Sequence, residues 1–188
     1  MLYFQLLPFP ALETLRCRLL EITQQDVPEF LRLNVDPQVI KYLDRGSLSG
    51  TEEATMLINR IKDDEENNRG IMWKISLKEK GPVMVGMIGF WRFILEHHRA
   101  EIGFMLLPEY WNKGLIREAL AGVVHYGFSV LKLHTIEANV NPGNTAARRM
   151  LENSGFVQEG YFRENYFFNG KFIDTVTYTI HNMNNGQN

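Results

Sequence analysis

The feature that most constrains this chain is the change of pattern across residues 101–140. Glu101 to Leu107 reads as a strand, PEYWNKG as a turn, the next stretch as an amphipathic helix, and Thr135 to Val140 as a second strand. In the helix, Leu115, Ala119, Val123 and Val130 form one apolar ridge and Ile116, Leu120, Val124 and Leu131 an adjacent one. Glu118, His125, Ser129 and Lys132 fall on the other face. A helix between two strands of one sheet makes those strands parallel, through a right-handed crossover.

The stretch before it demands the opposite pairing. Ile71, Trp73, Ile75 and Leu77 alternate with Met72, Lys74, Ser76 and Lys78, the pattern of a strand with one buried face. Lys80-Gly81-Pro82 turns the chain into a strand at 83–95, and a polar turn at Glu96 to Arg99 leads into Glu101. Short turns of this kind join antiparallel neighbours. The fold class is therefore α/β, with a mixed, mostly antiparallel sheet of six or seven strands, a central strand-helix-strand crossover and flanking helices.

The remaining elements fit around that sheet. Leu12 to Ile22 reads as an opening strand, followed by a helix in QQDVPEFLRL with Asp26 as its cap and Pro28 in its first turn. Asp36-Pro37 breaks the chain, and a second helix runs from about Thr51 to Asn67, with Glu52 and Glu53 at its positive end. Gly86 and Gly89 inside a strand call for a bulge or a close backbone approach. Trp73 and Trp91 read as core-facing. A further helix from Asn144 to Ser154 carries Ala147, Met150, Leu151 and Ser154 on one face, and Ser154-Gly155 closes it. Phe156 to Ile180 reads as two strands joined at Asn169-Gly170, the strongest short hairpin signal. Residues 1–11 and 182–188 read as loose ends of one domain covering 1–188.

Composition removes several function classes. A net charge of -2 carries no nucleic-acid signature. Cys17 is the only cysteine, so no internal disulfide or cysteine-based zinc site is expected, and His97-His98 lacks a third ligand. The run DDEENN at 63–68 reads as a solvated helix end. The longest apolar stretch, PVMVGMIGFWRFIL, is too short to span a bilayer and contains Arg92, while the apolar N-terminus lacks a basic lead and is broken by Pro8 and Pro10. A cytoplasmic location without membrane attachment is the expectation, as a monomer or homodimer.

Taken by itself, the PEYWNKG turn reads two ways. It is a turn leading into a helix, or a set of backbone N–H groups that holds a phosphate at the helix N-terminus, with Gly114 allowing close approach and Lys113 adding charge. The surroundings carry a resemblance that bears on the choice. EIGFMLLPEYWNKGLIREAL followed by NPGNTAARRMLENSGF resembles the two central motifs of the GCN5-related N-acetyltransferases, which bind acetyl-CoA. The closing GFVQEGYFRENYFFNGKFIDTVTYTI is similar to the tail of the ribosomal-protein N-terminal acetyltransferase branch, and LETLRCRLLEIT resembles that branch's first strand, so the likeness runs from Leu12 to Ile180.

The resemblance implies a set of roles. Trp111, Asn112, Lys113, Gly114, Leu115 and Ile116 would hold the pyrophosphate through backbone N–H groups, and Met105, Leu106 and Leu107 would pair with the pantetheine arm. The family motif Q/RxxGxG/A falls on Trp111, Gly114 and Ile116, so only the central glycine is kept, and Ile116 stands where a small residue is usual. Asn144 matches the asparagine that opens the second motif's helix and faces the cofactor, a role compatible with an N-cap. Glu101 matches a strand glutamate and becomes the candidate base, working through a water. The positions of the usual proton donors hold Leu151 and Ala147, which leaves water, Ser154, Tyr161 or Tyr166, with Tyr166 taken as the candidate side chain.

The expected reaction is acetyl transfer from acetyl-CoA to a primary amine. An α-amine, with a reference pKa near 8, is neutral far more often at neutral pH than a lysine amine near 10.4. A protein or peptide N-terminus of the ribosomal kind is therefore the expected acceptor. Acetylation of a small amine such as a polyamine or aminoglycoside, and a non-catalytic acyl-CoA-binding module, are the alternatives.

Overall fold

The computed structural model describes residues 2–182. Eight strands form one sheet in the order β1-β2-β3-β4-β5-β6-β8-β7. They are β1 (Leu12–Glu13), β2 (Cys17–Glu21), β3 (Ile71–Leu77), β4 (Met84–Ile94), β5 (Arg99–Leu106), β6 (Thr135–Val140), β7 (Val157–Phe168) and β8 (Lys171–His181). Five α-helices accompany them: α1 (Val27–Val35), α2 (Pro37–Ile40), α3 (Thr51–Glu66), α4 (Leu115–Ser129) and α5 (Thr145–Glu152). The count exceeds the expected six or seven because the opening strand is two: Thr14 N–H bonds Cys17 O at 2.9 Å and folds β1 back on β2. Only β5 and β6 pair in parallel, as the crossover requires.

Strand alternation divides the core. Ile71, Trp73 and Ile75 face one way and join Phe90, Ile102, Ile136 and Tyr178 beneath α4 and α5. Met72, Met84 and Met87 face the other way and join Phe30, Leu33, Ala54 and Ile58 of α1 and α3. β3 is thus buried on both faces, not one. Lys74, expected to face water, is 8% exposed and ion-paired with Asp26 at 2.7 Å. Asp26 in turn does not cap α1 with its side chain; it accepts from Thr23 N–H at 2.8 Å and from Lys74 Nζ. Helix α2 stands where the sequence read only a break, capped by Asp36, which accepts from Gln38 N–H at 2.9 Å.

Other expectations resolve at single residues. A Cβ on Gly89 would lie 2.1 Å from Ile71 O, and one on Gly86 2.4 Å from Met105 O, so close backbone approach explains both glycines. β4 is irregular at two points: at Val85, beside Gly86, where the register with β3 steps from Ile75–Gly86 to Ser76–Met84, and between Phe90 and Arg92, where Trp91 has no partner in β5. Trp73 is fully buried, whereas Trp91 is 50% exposed: it follows Met87 and Gly89 on the face of β4 opposite Phe90, beside Gly103. Helix α4 ends at Ser129, which leaves Val130 exposed instead of on the apolar ridge. Asn169 (φ 48°) and Gly170 (φ 74°) make the β7–β8 turn with two left-handed residues, as an Asn-Gly hairpin does.

The N-terminal segment is packed, where the sequence read it as loose. Leu2 and Leu6 are buried, Leu6 N–H donates to Asn68 Oδ1 at 2.9 Å, and Trp73 Nε1 donates to Pro10 O at 2.7 Å. Asn182 N–H bonds His134 O at 2.9 Å, and residues 183–188 lie outside the described residues. No helix among the described residues is long and apolar enough to cross a membrane.

Candidate active site

The crossover strands part company after three residues. β5 and β6 pair at Arg99–Thr135, Ala100–Ile136 and Glu101–Glu137, and then both continue without a partner in each other. A β5 edge from about Ile102 onward is left open on the β6 side. Leu107 N–H donates to Val85 O at 3.0 Å. By the alternation of an antiparallel ladder, the backbone groups of Met105 and Leu107 then face β4, while those of Phe104 and Leu106 face the opening. Of the three residues assigned to an extended ligand from sequence, Leu106 alone turns its backbone to the gap, and Phe104 joins it. Trp111 Nε1 donates to Leu106 O at 2.7 Å, so the indole standing at the motif's first position holds one of those groups.

The turn after β5 has a defined shape. Asn112 (φ 58°) and Gly114 (φ 73°) are both left-handed, on either side of Lys113, and Gly114 is the N-cap of α4 with no side chain to satisfy the helix N–H groups. Trp111 to Gly114 are exposed. The turn is stapled from β1–β2: Arg16 Nη1 donates to Lys113 O at 2.9 Å, and Arg16 Nε meets Glu118 Oε2 at 2.7 Å. Glu118 also accepts from Thr14 Oγ1 at 2.5 Å and from Arg16 N–H at 2.6 Å. Lys113 Nζ lies 5.6 Å from the centre of the Tyr110 ring. Leu115 is buried, and the bulky Ile116 packs against the core cluster beneath α4. Left-handed residues flanking a lysine, ahead of a helix with no side-chain cap, are an arrangement in which backbone N–H groups can bind an anion.

Across the opening, Asn144 caps α5 by accepting from Ala147 N–H at 3.1 Å. Its Nδ2 has no partner among the described residues.

The polar centre lies where the strands begin to part. Glu101 is 6% exposed; its Oε1 accepts from Asn139 Nδ2 at 2.9 Å and its Oε2 lies 2.9 Å from Arg92 Nη2. Burial pushes its carboxyl above the ordinary carboxylate range, against the opposing pull of Asn139 and Arg92. Glu137, also buried, meets Arg92 Nη2 at 3.3 Å and Arg99 Nε at 3.3 Å. Asn139 Oδ1 accepts from Thr177 Oγ1 at 2.6 Å, which fixes its amide with the N–H toward Glu101. A cleft of ≈ 540 Å³ opens beside this network over β6, β8 and β7, lined in part by Arg99, Glu137, Asn139, Thr179 and His181.

Sequence reasoning missed Trp91, Arg92 and Asn139. The parallel register offered a signal for one of them: Glu101 opposite Glu137 puts Asn139 on the same face. The β4 bulge, which puts Arg92 on that face beside Trp91, left no mark in the hydrophobic pattern. Conversely, Tyr166 is not brought in. It lies on β7, the edge strand, paired with Ile173 of β8, with β6 and β8 between it and β5. Three strand spacings across and six residues along β8 from the row of Glu101 put it on the order of 25 Å away. Tyr161 is engaged by Asp174, and Ser154 Oγ donates to Met150 O at 2.8 Å. Among the described residues, no group of three or more His, Cys, Asp or Glu side chains is placed to hold a metal ion.

Comparison with known proteins adds relatives to this geometry. Residues 16–157 match the family model described as acetyltransferase (GNAT) domain. The chain is 36% identical over 172 residues to the uncharacterized N-acetyltransferase YoaA of Bacillus subtilis, covering 92% of this chain and 97% of the relative. It is 26% identical to a spermidine N(1)-acetyltransferase of Vibrio cholerae, over 76% of this chain and 79% of that one. In three dimensions it resembles Mycobacterium smegmatis RimJ, solved in complex with CoA-disulfide, with a TM-score of 0.84, 20% identity, and coverage of 95% of this chain and 90% of that one. At that identity the likeness speaks for the fold.

Proposed function

The chain belongs to the GNAT acetyltransferase family and is an N-acetyltransferase with acetyl-CoA as cosubstrate, and from that premise we propose that its acceptor is the α-amine of a protein or peptide N-terminus. The observation that carries this choice is the state of the carboxylates around the opening. Glu101 is matched by Arg92, and Glu137 by both Arg92 and Arg99. The cluster offers a polycation no net negative charge, whereas a spermidine site needs several unmatched carboxylates. The open cleft beside the cluster suits a peptide chain.

The residues present fit the cosubstrate. The turn from Trp111 to Ile116 would hold the pyrophosphate through N–H groups at the α4 N-terminus, and the Phe104 and Leu106 edge would take the pantetheine arm as an added strand does. Asn144 would face it from α5. Bound there, acetyl-CoA supplies an acetyl thioester. Glu101 acts on the acceptor: its raised proton affinity makes it a better base than an ordinary carboxylate, and its two oxygens offer about four acceptor sites, more than Asn139, Arg92 and Trp91 use. It takes the amine proton through one water, and water returns a proton to the departing sulfur, since neither Tyr166 nor Ser154 is available.

A panel of acceptors tests the reading. Mass spectrometry should find acetyl on the α-amine of short peptides, none on the same peptides with a blocked N-terminus, and much slower turnover of spermidine. Efficient acetylation of spermidine with untouched peptides would refute it.

A further inference from the structure

We propose that Arg45 selects acceptors carrying an anionic group close to the reacting amine, so that the preferred peptides have an acidic residue at the second or third position. The inference rests on the assignment of acetyl transfer to the Glu101 face, and it names the substrate class more narrowly.

On β5, residues two apart share a face, so Glu101, Gly103 and Met105 form a strip. Gly103 leaves the middle of this strip bare: a Cβ there would have Trp91 Cδ1, at 3.4 Å, as its nearest neighbour. The half-exposed Trp91 ring therefore stands as a wall beside the strip. Above its far end lies the loop between α2 and α3. Tyr42 of that loop reaches to 3.3 Å from the Cβ position of Gly143 in the β6–α5 connection, so the loop spans the diverging strands.

Arg45 comes from this loop, and its Nη2 lies 3.6 Å from Met105 Sδ. The same nitrogen donates to Asn34 Oδ1. Asn34 is fully buried and locked by its own bond from Nδ2 to Phe30 O at 2.7 Å. The guanidinium is thus aimed by a fixed amide. No carboxylate of the described residues lies within 4 Å of it, and Glu53, whose field reaches it, is committed to Ser49 N–H at 2.7 Å and Oγ at 2.8 Å. A half-buried cation held by an amide and a thioether, without a counter-ion, lacks the partner that would offset its desolvation. A carboxylate delivered by the acceptor would provide one.

The spacing agrees with an acceptor peptide. From Glu101 to Met105 is four residues, about 13 Å along a strand. With a water between Glu101 and the amine, the remaining distance is that from an N-terminus to the side chain of the second or third residue in an extended chain.

The test uses the full chain, acetyl-CoA, and peptides that differ only in Glu, Gln or Lys at position two or three. For the wild type, kcat/KM should be at least about tenfold higher for Glu than for Gln, the scale of one charge-assisted hydrogen bond. Lys should be poorer still. Arg45→Gln, which can keep the bond to Asn34, should bring the three peptides to near equality without changing KM for acetyl-CoA; Arg45→Glu should invert the order and Arg45→Lys should retain part of it.

Equal rates for the three peptides with the wild type, a comparison that needs no variant, would overturn the proposal. So would Arg45 variants that raise KM for acetyl-CoA and leave the peptide order intact, since Arg45 would then serve the cosubstrate's phosphates. Acetylation of small acidic amines in an Arg45-dependent way, with no peptide turnover, would sustain the charge selection and remove the N-terminal assignment. Turnover of polyamines alone would remove both.

Discussion

Arg92 Nη2 sits 2.9 Å from Glu101 Oε2 and 3.3 Å from Glu137 Oε1, so one guanidinium serves two buried carboxylates on adjacent parallel strands. Burial raises the proton affinity of Glu101 and Arg92 restrains it. Replacing Arg92 with Met removes the restraint, so the acid limb of the kcat/KM profile should move to higher pH, with the largest loss of rate in mildly acidic buffer. A pH profile of both proteins checks this; an unmoved limb would show that Arg92 does not tune Glu101.

Gly114 is left-handed, with φ 73°, and a Cβ there would meet only Arg16 Nη2, at an ordinary 3.6 Å. The cost of Gly114→Ala is therefore conformational, about 1 kcal/mol by urea unfolding. Because the turn's N–H groups must reorient, KM for acetyl-CoA should rise several-fold more than KM for the acceptor. Equal rises in both would point to general loosening instead.

Lys74 and Asp26 form a buried pair at 2.7 and 2.9 Å. Removing one partner strands the other charge, so Lys74→Met should cost about 3 to 5 kcal/mol in equilibrium unfolding. Asp26→Leu added to it should recover much of that loss, although the Asp26 bond to Thr23 is forfeited. Additive losses in the double variant would mean the charges do not depend on each other.

Glu65 is 3% exposed and has its pKa pushed up to about 7, chiefly by burial, with a partial offset from the Met72 N–H it accepts at 3.3 Å. Its folded value lies above its unfolded value. The stability this group contributes is therefore complete below about pH 4.5 and is lost as pH rises through about 7. Glu65→Gln keeps an oxygen for Met72 and should stabilise the protein at pH 8 by on the order of 1 to 3 kcal/mol. It should make little difference at pH 4.5, and thermal melting at the two pH values compares them.

How far the sequence revealed this molecule depends on the kind of signal each residue leaves. Alternation at Ile71, Trp73 and Ile75, the ridges of α4 and the Asn169-Gly170 turn are local patterns, and they placed strands, helix and hairpin correctly. What local patterns lack is the second face of a strand. Lys74 reads as solvent-facing because its partner Asp26 lies 48 residues away, and the place of Arg92 opposite Glu101 is hidden because a bulge is invisible to a period of two. The site divides in the same way. Glu101 and the Gly114 turn belong to contiguous motifs, whereas Arg92, Asn139 and Arg45 reach the strip only through pairing and loop closure. Tyr166 has the chemistry of a proton donor, but its distance from Glu101 is set by sheet order, which sequence does not display.

The account turns on Glu101 as the base for acetyl transfer to an α-amine. The most direct measurement is steady-state acetylation of an N-terminal peptide by the wild type and Glu101→Gln, with acetyl-CoA affinity measured separately by calorimetry. The variant keeps an oxygen for Arg92 but cannot take a proton. The account predicts a fall in kcat/KM of about 10² to 10⁴ with acetyl-CoA affinity unchanged within a factor of about two, and partial recovery of rate at high pH, where the amine is already neutral. A variant that acetylates the peptide at the wild-type rate at neutral pH would contradict it.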